Sequence, residues 1–279
     1  VGQNHSGQTE SDEAVRLFNA GKYREALPVA RDAVAKRRKA LDGSNILVGY
    51  AWRNLAIIEK AAGNSKEADK AFDSALDIYS RQASLVKKDE LDLAGLLEIT
   101  AYYDVEGRQY DKAIGKYKRT IEIRERLIGN SAEELVFPLT NLGRILRGLG
   151  RFEDASASLV RAFDIDSKRA IPSPDGYLLE EAAACSLRKI GKNDAADNLS
   201  RRFPREPNGK SKKIVGGVVN GKATFLARPV YPSEAKTAGA TGTVSVQVLI
   251  DEEGKVVSAC AATGNKLFWL ATESAAYES

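Results

Sequence analysis

Five short turns of similar composition recur along the 279-residue chain at nearly constant intervals. They are Gly21–Ala26, Gly63–Ala68, Arg108–Ala113, Gly150–Ala155 and Gly191–Ala196. The alanines that end them are separated by 42, 45, 42 and 41 residues. Repetition at such a period is typical of stacked supersecondary units, each too small to bury a core of its own.

Small residues also recur at two fixed distances from each of these alanines. Twelve positions earlier stand Ala14, Ala56, Ala101, Gly143 and Ala184, and seven positions later stand Ala33, Ala75, Thr120 and Ala162. Small side chains allow two helices to approach closely, and a glycine at the turn closes the first helix at low steric cost. The surrounding apolar residues follow a helical period. The pattern therefore predicts about five helical hairpins over residues 8–203.

This pattern resembles the tetratricopeptide repeat. Trp52, Leu55 and Ala56, followed by Ala68, Phe72 and Ala75, are similar to the consensus of that family, and the longer period resembles the 42-residue variety of kinesin light chains. The resemblance implies a mainly α-helical solenoid that binds extended peptides or proteins along a concave face. The first helix of each hairpin lines that face.

In this register the outward positions of the first helices are candidate partner-binding residues. Asn54 and Asn141 match asparagines that, in the kinesin-light-chain type, hydrogen-bond a peptide backbone, and the arginines imply acidic groups on the partner. The alternative is that these positions are ordinary solvated helix faces. The full set is Arg53, Asn54, Ile57, Lys60, Glu98, Tyr102, Asn141, Arg144, Arg147, Arg188 and Lys189.

The helical pattern stops after Phe203, and residues 204–216 read as a flexible basic linker. In the C-terminal module, residues 217–279, Val218–Ala223 predicts a hairpin. Thr243–Ile250 and Lys255–Ala261 predict two paired strands, and Leu267–Tyr277 a helix. A short helix is also expected, from Ser233 to about Ala238.

The order of motifs in this module resembles the C-terminal domain of the TonB family, a small α+β module. The motifs are Tyr231 with Pro232, Gly242 with three alternating valines, and Asp251 with Gly254. In that family a final strand follows and accepts a partner strand. This sequence ends before such a strand, so the module is expected to be incomplete.

Charge and hydropathy limit the classes of partner. The net charge of the chain is +4, and the segment Arg201–Lys213 alone carries +5. The positive excess thus lies in the linker region rather than on a folded surface, so a nucleic-acid-binding face is not expected. No apolar run is long enough for a transmembrane segment. The chain contains no methionine, so Val1 is not a translational start. We expect that a secretory signal peptide has been removed, the alternative being that the chain is a fragment.

No motif supports catalysis, a cofactor or a metal site. Gly216–Lys222 has the spacing of a phosphate-binding loop but is followed by Ala223, and Ser233 with Lys236 lacks the companion motifs of serine–lysine acylases. The only histidine is His5. Cys185 and Cys260 have no metal-like spacing, so we expect two small buried thiols, although the sequence does not determine whether they pair.

These observations favour a non-enzymatic interaction scaffold of the bacterial cell envelope or periplasm, which binds a protein or peptide with acidic groups. Outer-membrane and other envelope proteins are candidate partners, and the TonB-like module would provide a second contact. A cytoplasmic adaptor for acidic peptides is one alternative. Another is a regulatory subunit of an enzyme complex, whose basic linker touches an anionic membrane or polymer.

Overall fold

The computed structural model describes residues 6–82, 87–169, 176–202, 225–250 and 254–279. Val218–Ala223, the basic linker and His5 lie outside these ranges. The chain forms two compact units, Val1–Ala132 and Glu133–Ser279. The first unit contains the first three predicted repeats, and the second contains repeats four and five together with the C-terminal module.

Helices in the first unit pair into three hairpins, as the repeat pattern predicts. Each hairpin packs on the next through its second helix, so the apolar residues of consecutive repeats share one core. The helices are α1 (Gln8–Asn19), α2 (Tyr23–Ala40), α3 (Ile46–Ala61), α4 (Ser65–Gln82), α5 (Lys87–Glu106) and α6 (Tyr110–Ile128).

Two further hairpins follow in the second unit, after a short 3-10 helix at Glu133–Leu135. They consist of α7 (Val136–Gly148), α8 (Phe152–Asp166), α9 (Gly176–Lys189) and α10 (Asn193–Arg202). The five predicted hairpins are thus confirmed. The small residues of the repeat lie where the helices cross, and all five anchoring alanines are fully buried. At Gly143 even a methyl group would lie 2.5 Å from Leu159 Cγ, which shows how closely these helices approach.

The C-terminal module has the predicted order of elements. It consists of α11 (Ser233–Thr237), β1 (Ser245–Ile250), β2 (Val256–Thr263) and, after a 3-10 turn at Lys266–Phe268, α12 (Trp269–Tyr277). The two strands pair antiparallel, with Val248 opposite Ala259. β2 contacts both α12 and α9, so the module joins the compact unit of repeats four and five. This compact division differs from the boundary at residue 203 that the sequence suggests, because β2 packs on a repeat helix.

All five repeat turns use the same backbone device. The second residue after the first helix has a positive φ, and the next N–H donates to a carbonyl five residues earlier, as in Asn64 N to Glu59 O at 2.8 Å. Four turns place glycine at this position, as predicted. The third turn places Arg108 there, with φ 57°. An L-residue pays a steric penalty in this conformation.

Replacing Arg108 with glycine should therefore stabilise the first unit. We expect a gain of about 0.5–1 kcal/mol in the free energy of unfolding, because relief of the left-handed strain exceeds the extra entropy of glycine in the unfolded chain. Urea unfolding followed by circular dichroism measures it. The matched control is Gly63→Ala, where the added methyl meets no atom within 4 Å but φ is 85°, and it should lose stability. If Arg108→Gly left the free energy of unfolding unchanged while Gly63→Ala lowered it, the interpretation that Arg108 is strained would be contradicted.

Candidate interaction surfaces

The first helices of repeats two and three carry a connected set of side chains. Tyr50 on α3 donates its hydroxyl hydrogen to Asp92 on α5 at 2.5 Å. At the other end of α3, the Lys60 ammonium lies 5.1 Å from the ring centroid of Tyr103 on α5. Burial and the nearby Asp92 raise the pKa of Tyr50 to about 12, so its hydroxyl stays protonated in the neutral range. These bridges place α3 and α5 side by side on one surface.

Four predicted binding residues lie on α3. The Arg53 guanidinium lies 5.4 Å from the Tyr50 ring centroid and donates to Asn54 Oδ1 at 3.3 and 3.4 Å. Ile57 and Lys60 are half-buried, as are Arg53 and Asn54. The structure therefore brings these residues to one accessible helix face, with the Asn54 carbonyl oxygen already accepting from Arg53.

The two predicted residues on α5 differ in character. Tyr102 is 49% exposed, although it is a large aromatic residue on a packed helix. Glu98 is half-buried and pairs with Arg124 of α6 at 2.6 Å. Burial raises the pKa of Glu98, while Arg124 partly offsets this effect. Glu98 thus links the two helices of its own hairpin.

On α7 and α9 the predicted residues are held by contacts within the second unit. Asn141 donates to the Phe137 carbonyl at 3.0 Å, and Arg188 pairs with Asp197 of α10 at 3.2 Å. Arg144 is exposed. The two remaining residues, Arg147 and Lys189, contact the C-terminal module.

Lys189 is the residue whose position differs most from the predicted outward one. Its side chain is 1% exposed, and its ammonium lies 2.7 Å from Glu273 Oε1 and 3.9 Å from the ring centroid of Trp269, both on α12. Glu273 also accepts from the Ala261 N–H at 2.7 Å. Arg147 makes longer contacts, 3.5 Å each, to the Ala259 carbonyl and the Tyr277 hydroxyl. The C-terminal module covers Lys189, so an external partner cannot reach it in this arrangement.

Cys185 of α9 and Cys260 of β2 form a disulfide, with their Cα atoms 5.8 Å apart. The sequence leaves the pairing of these cysteines open, and the structure shows them bonded to each other rather than as thiols. Both residues are buried as expected, but long-range packing of β2 on α9 brings together cysteines that are 75 residues apart in sequence. Sequence reasoning missed this contact. One signal was available, because Cys185 immediately follows the small residue of its repeat, the position that Ile57 and Tyr102 occupy in theirs.

The candidate catalytic and metal-binding groups gain no support from the described residues. Ser233 and Lys236 are both exposed on the five-residue helix α11. Where the structure describes the chain, potential metal ligands converge only at Cys185, Cys260 and Glu273, and the two sulfurs are bonded to each other. Gly216–Lys222 lies outside the described ranges.

Sequence profiles of two families match the chain. The tetratricopeptide repeat matches residues 14–44 and 103–168, and the family described as Gram-negative bacterial TonB protein C-terminal matches residues 227–266. No curated protein matches the chain. None of the helices in the described ranges has both the length and the apolarity needed to cross a membrane.

Solved structures with tetratricopeptide-like repeats share the fold. A Podospora anserina kinesin light chain protein with nearly identical TPR-like repeats gives a TM-score of 0.56 at 17% identity, covering 70% of this chain and 92% of that one. BtubC from P. vanneervenii gives 0.55 at 17% identity, covering 78% and 100%. Pseudomonas aeruginosa PilF gives 0.51 at 16% identity, covering 73% and 77%.

Stacked hairpins with accessible first helices define a class of proteins that act as protein–protein interaction scaffolds. Within that class, the chain contains tetratricopeptide repeats, and its C-terminal part is similar to the TonB C-terminal domain.

Removing the carboxylate of Glu273 should destabilise the second unit in a pH-dependent way. Glu273→Gln leaves Lys189 buried without its counter-ion, so we expect a loss of about 3 kcal/mol at pH 7. Burial lowers the pKa of Lys189, Glu273 raises it and the Arg147 charge lowers it. Without Glu273 the folded protein therefore releases this proton at a lower pH than the unfolded chain does.

Because the unfolded chain then binds more protons, the stability of Glu273→Gln relative to wild type should rise with pH. Urea unfolding at pH 7 and pH 9.5 tests this. Lys189→Met serves as control, since its loss of stability relative to wild type should not shrink at the higher pH. If Glu273→Gln lost the same stability relative to wild type at both pH values, Glu273 would not be the counter-ion of Lys189.

Proposed function

We propose that the protein is a non-catalytic scaffold of the bacterial cell envelope that binds an acidic protein or peptide on the first helices of repeats two and three. The observation that carries the proposal is the joint surface of α3 and α5. There an exposed tyrosine, Tyr102, accompanies two accessible cations, Arg53 and Lys60. Aromatic and arginine side chains are enriched at protein interfaces, and Tyr102 has little role in the core.

The geometry supports a ligand with carboxylates. Arg53 and Lys60 lie seven residues apart on α3, so both project from nearly the same side of the helix. Each is held near an aromatic ring of the same surface, which limits the side-chain entropy that binding would remove. Asn54, on the same surface, would contact the backbone of an extended ligand.

Two observations support the envelope rather than the cytoplasm. Disulfides persist in oxidising compartments, and the Cys185–Cys260 bond is buried between two elements of the second unit. The module also matches a family described from Gram-negative TonB proteins. We therefore assign the region 8–203 to partner binding and the region 217–279 to a second envelope contact, with 204–216 as the linker.

A pull-down with the full chain tests the partner surface. Arg53→Ala/Lys60→Ala should reduce capture of an envelope protein about tenfold or more, because each lost charged hydrogen bond contributes roughly 1.5–3 kcal/mol. The matched control is Lys66→Ala/Lys70→Ala, which removes the same charge from exposed positions of α4. Equal capture by both variants would refute the assigned surface. Fractionation of the native protein into the cytoplasm would refute the envelope assignment.

A further inference from the structure

Within the second unit, part of the first-helix surface of repeats four and five is already occupied by the C-terminal module. Cys185 immediately follows the small residue of repeat five, as Ile57 and Tyr102 follow those of repeats two and three. Arg147 and Lys60 likewise share one position, four residues after the small residue. Two positions that are accessible on α3 or α5 are therefore engaged by the C-terminal module, one on α7 and one on α9.

The contact has the chemistry expected of a bound protein segment. Trp269 and Glu273 are four residues apart on α12, so they project from the same side of that helix. The ammonium of Lys189 meets both, at 3.9 Å from the indole centroid and 2.7 Å from the carboxylate. Trp269 and Glu273 are 7% and 4% exposed. An acidic side chain one helical turn from an aromatic ring thus fits this surface.

The disulfide determines whether the C-terminal module can leave this surface. While Cys185 and Cys260 are bonded, β2 remains on α9 whatever else binds. Because both cysteines are buried, a reductant reaches the bond only when β2 and α9 separate locally. The bonded state therefore excludes external partners from Lys189.

We propose that the C-terminal module is a built-in ligand of the α7–α9 surface, and that reduction of Cys185–Cys260 by a dithiol opens this surface to an external helix carrying an acidic residue one turn from an aromatic one. One thiolate of the dithiol attacks a sulfur and breaks the S–S bond, forming a mixed disulfide. Its second thiol then displaces the protein sulfur. Two protein thiols form, and the dithiol becomes a disulfide.

This inference extends the proposed function to a second partner surface, but its first test measures exposure and involves no partner. The full chain is treated with a lysine-acylating reagent before and after reduction with dithiothreitol, and peptide mass spectrometry follows Lys189. The exposed Lys192, three residues away, is the internal reference. We expect several-fold faster acylation of Lys189 after reduction and an unchanged rate at Lys192.

Cys260→Ser should show the fast rate without any reductant. Circular dichroism of the same samples reports the repeats, whose helical signal should be retained. Slow acylation of Lys189 in both the reduced chain and Cys260→Ser would overturn the proposal. Loss of the helical signal on reduction would also overturn it, because the disulfide would then stabilise the repeats themselves rather than hold the C-terminal module in place.

The second test addresses the chemistry of the partner. A synthetic peptide copy of Lys266–Ser279 contains no cysteine, so it can protect Lys189 of the Cys260→Ser chain only by non-covalent binding. We expect protection at excess peptide and none with the Glu273→Gln peptide, while Lys192 corrects for reagent consumed. Absence of protection, or equal protection by both peptides, would overturn the partner chemistry. Failure of the pull-down with Arg53 and Lys60 variants would affect only the proposed function.

Discussion

The close crossing of the two helices in each hairpin is the constraint on which the repeat structure depends. Small residues at the crossing let the backbones approach, and the larger apolar side chains then fill the space on either side. Gly143 shows the limit, because an added Cβ would overlap Leu159. At the equivalent crossing of repeat three, Thr120 is tolerated because its hydroxyl donates to the Ala94 carbonyl of the facing helix at 3.1 Å. At these crossings a small side chain is the first requirement. A polar side chain is tolerated where a backbone carbonyl can accept its hydrogen bond.

Features encoded by local pattern could be predicted from the sequence. The period, the five hairpins, the strand pair and the short helix at Ser233 follow from residues that are near one another in the chain. Even the third turn could be placed correctly, although Arg108 stands where glycine was expected, because Ala101 and Ala113 define the register on both sides. The penalty of an unfavourable turn residue is small compared with the packing of two whole helices.

Contacts between distant segments could not be predicted in the same way. The repeat register predicts Lys189 on the outward side of α9, but sequence period alone does not say what covers an outward position. The acidic group that Lys189 contacts belongs to the same chain, and Glu273 lies 84 positions further on. The pairing of Cys185 with Cys260 has the same origin, since it depends on where β2 packs. Surfaces of repeat proteins are therefore best assigned after their flanking modules have been placed.

The Cys185–Cys260 bond also changes the covalent topology of the polypeptide. It closes a ring that contains α10, α11, β1 and the whole segment 203–224. A protease that cuts one peptide bond inside this ring produces two fragments that remain a single covalent molecule. The C-terminal module would thus stay attached to repeat five after such a nick, and the two pieces would separate only once the cystine was cleaved.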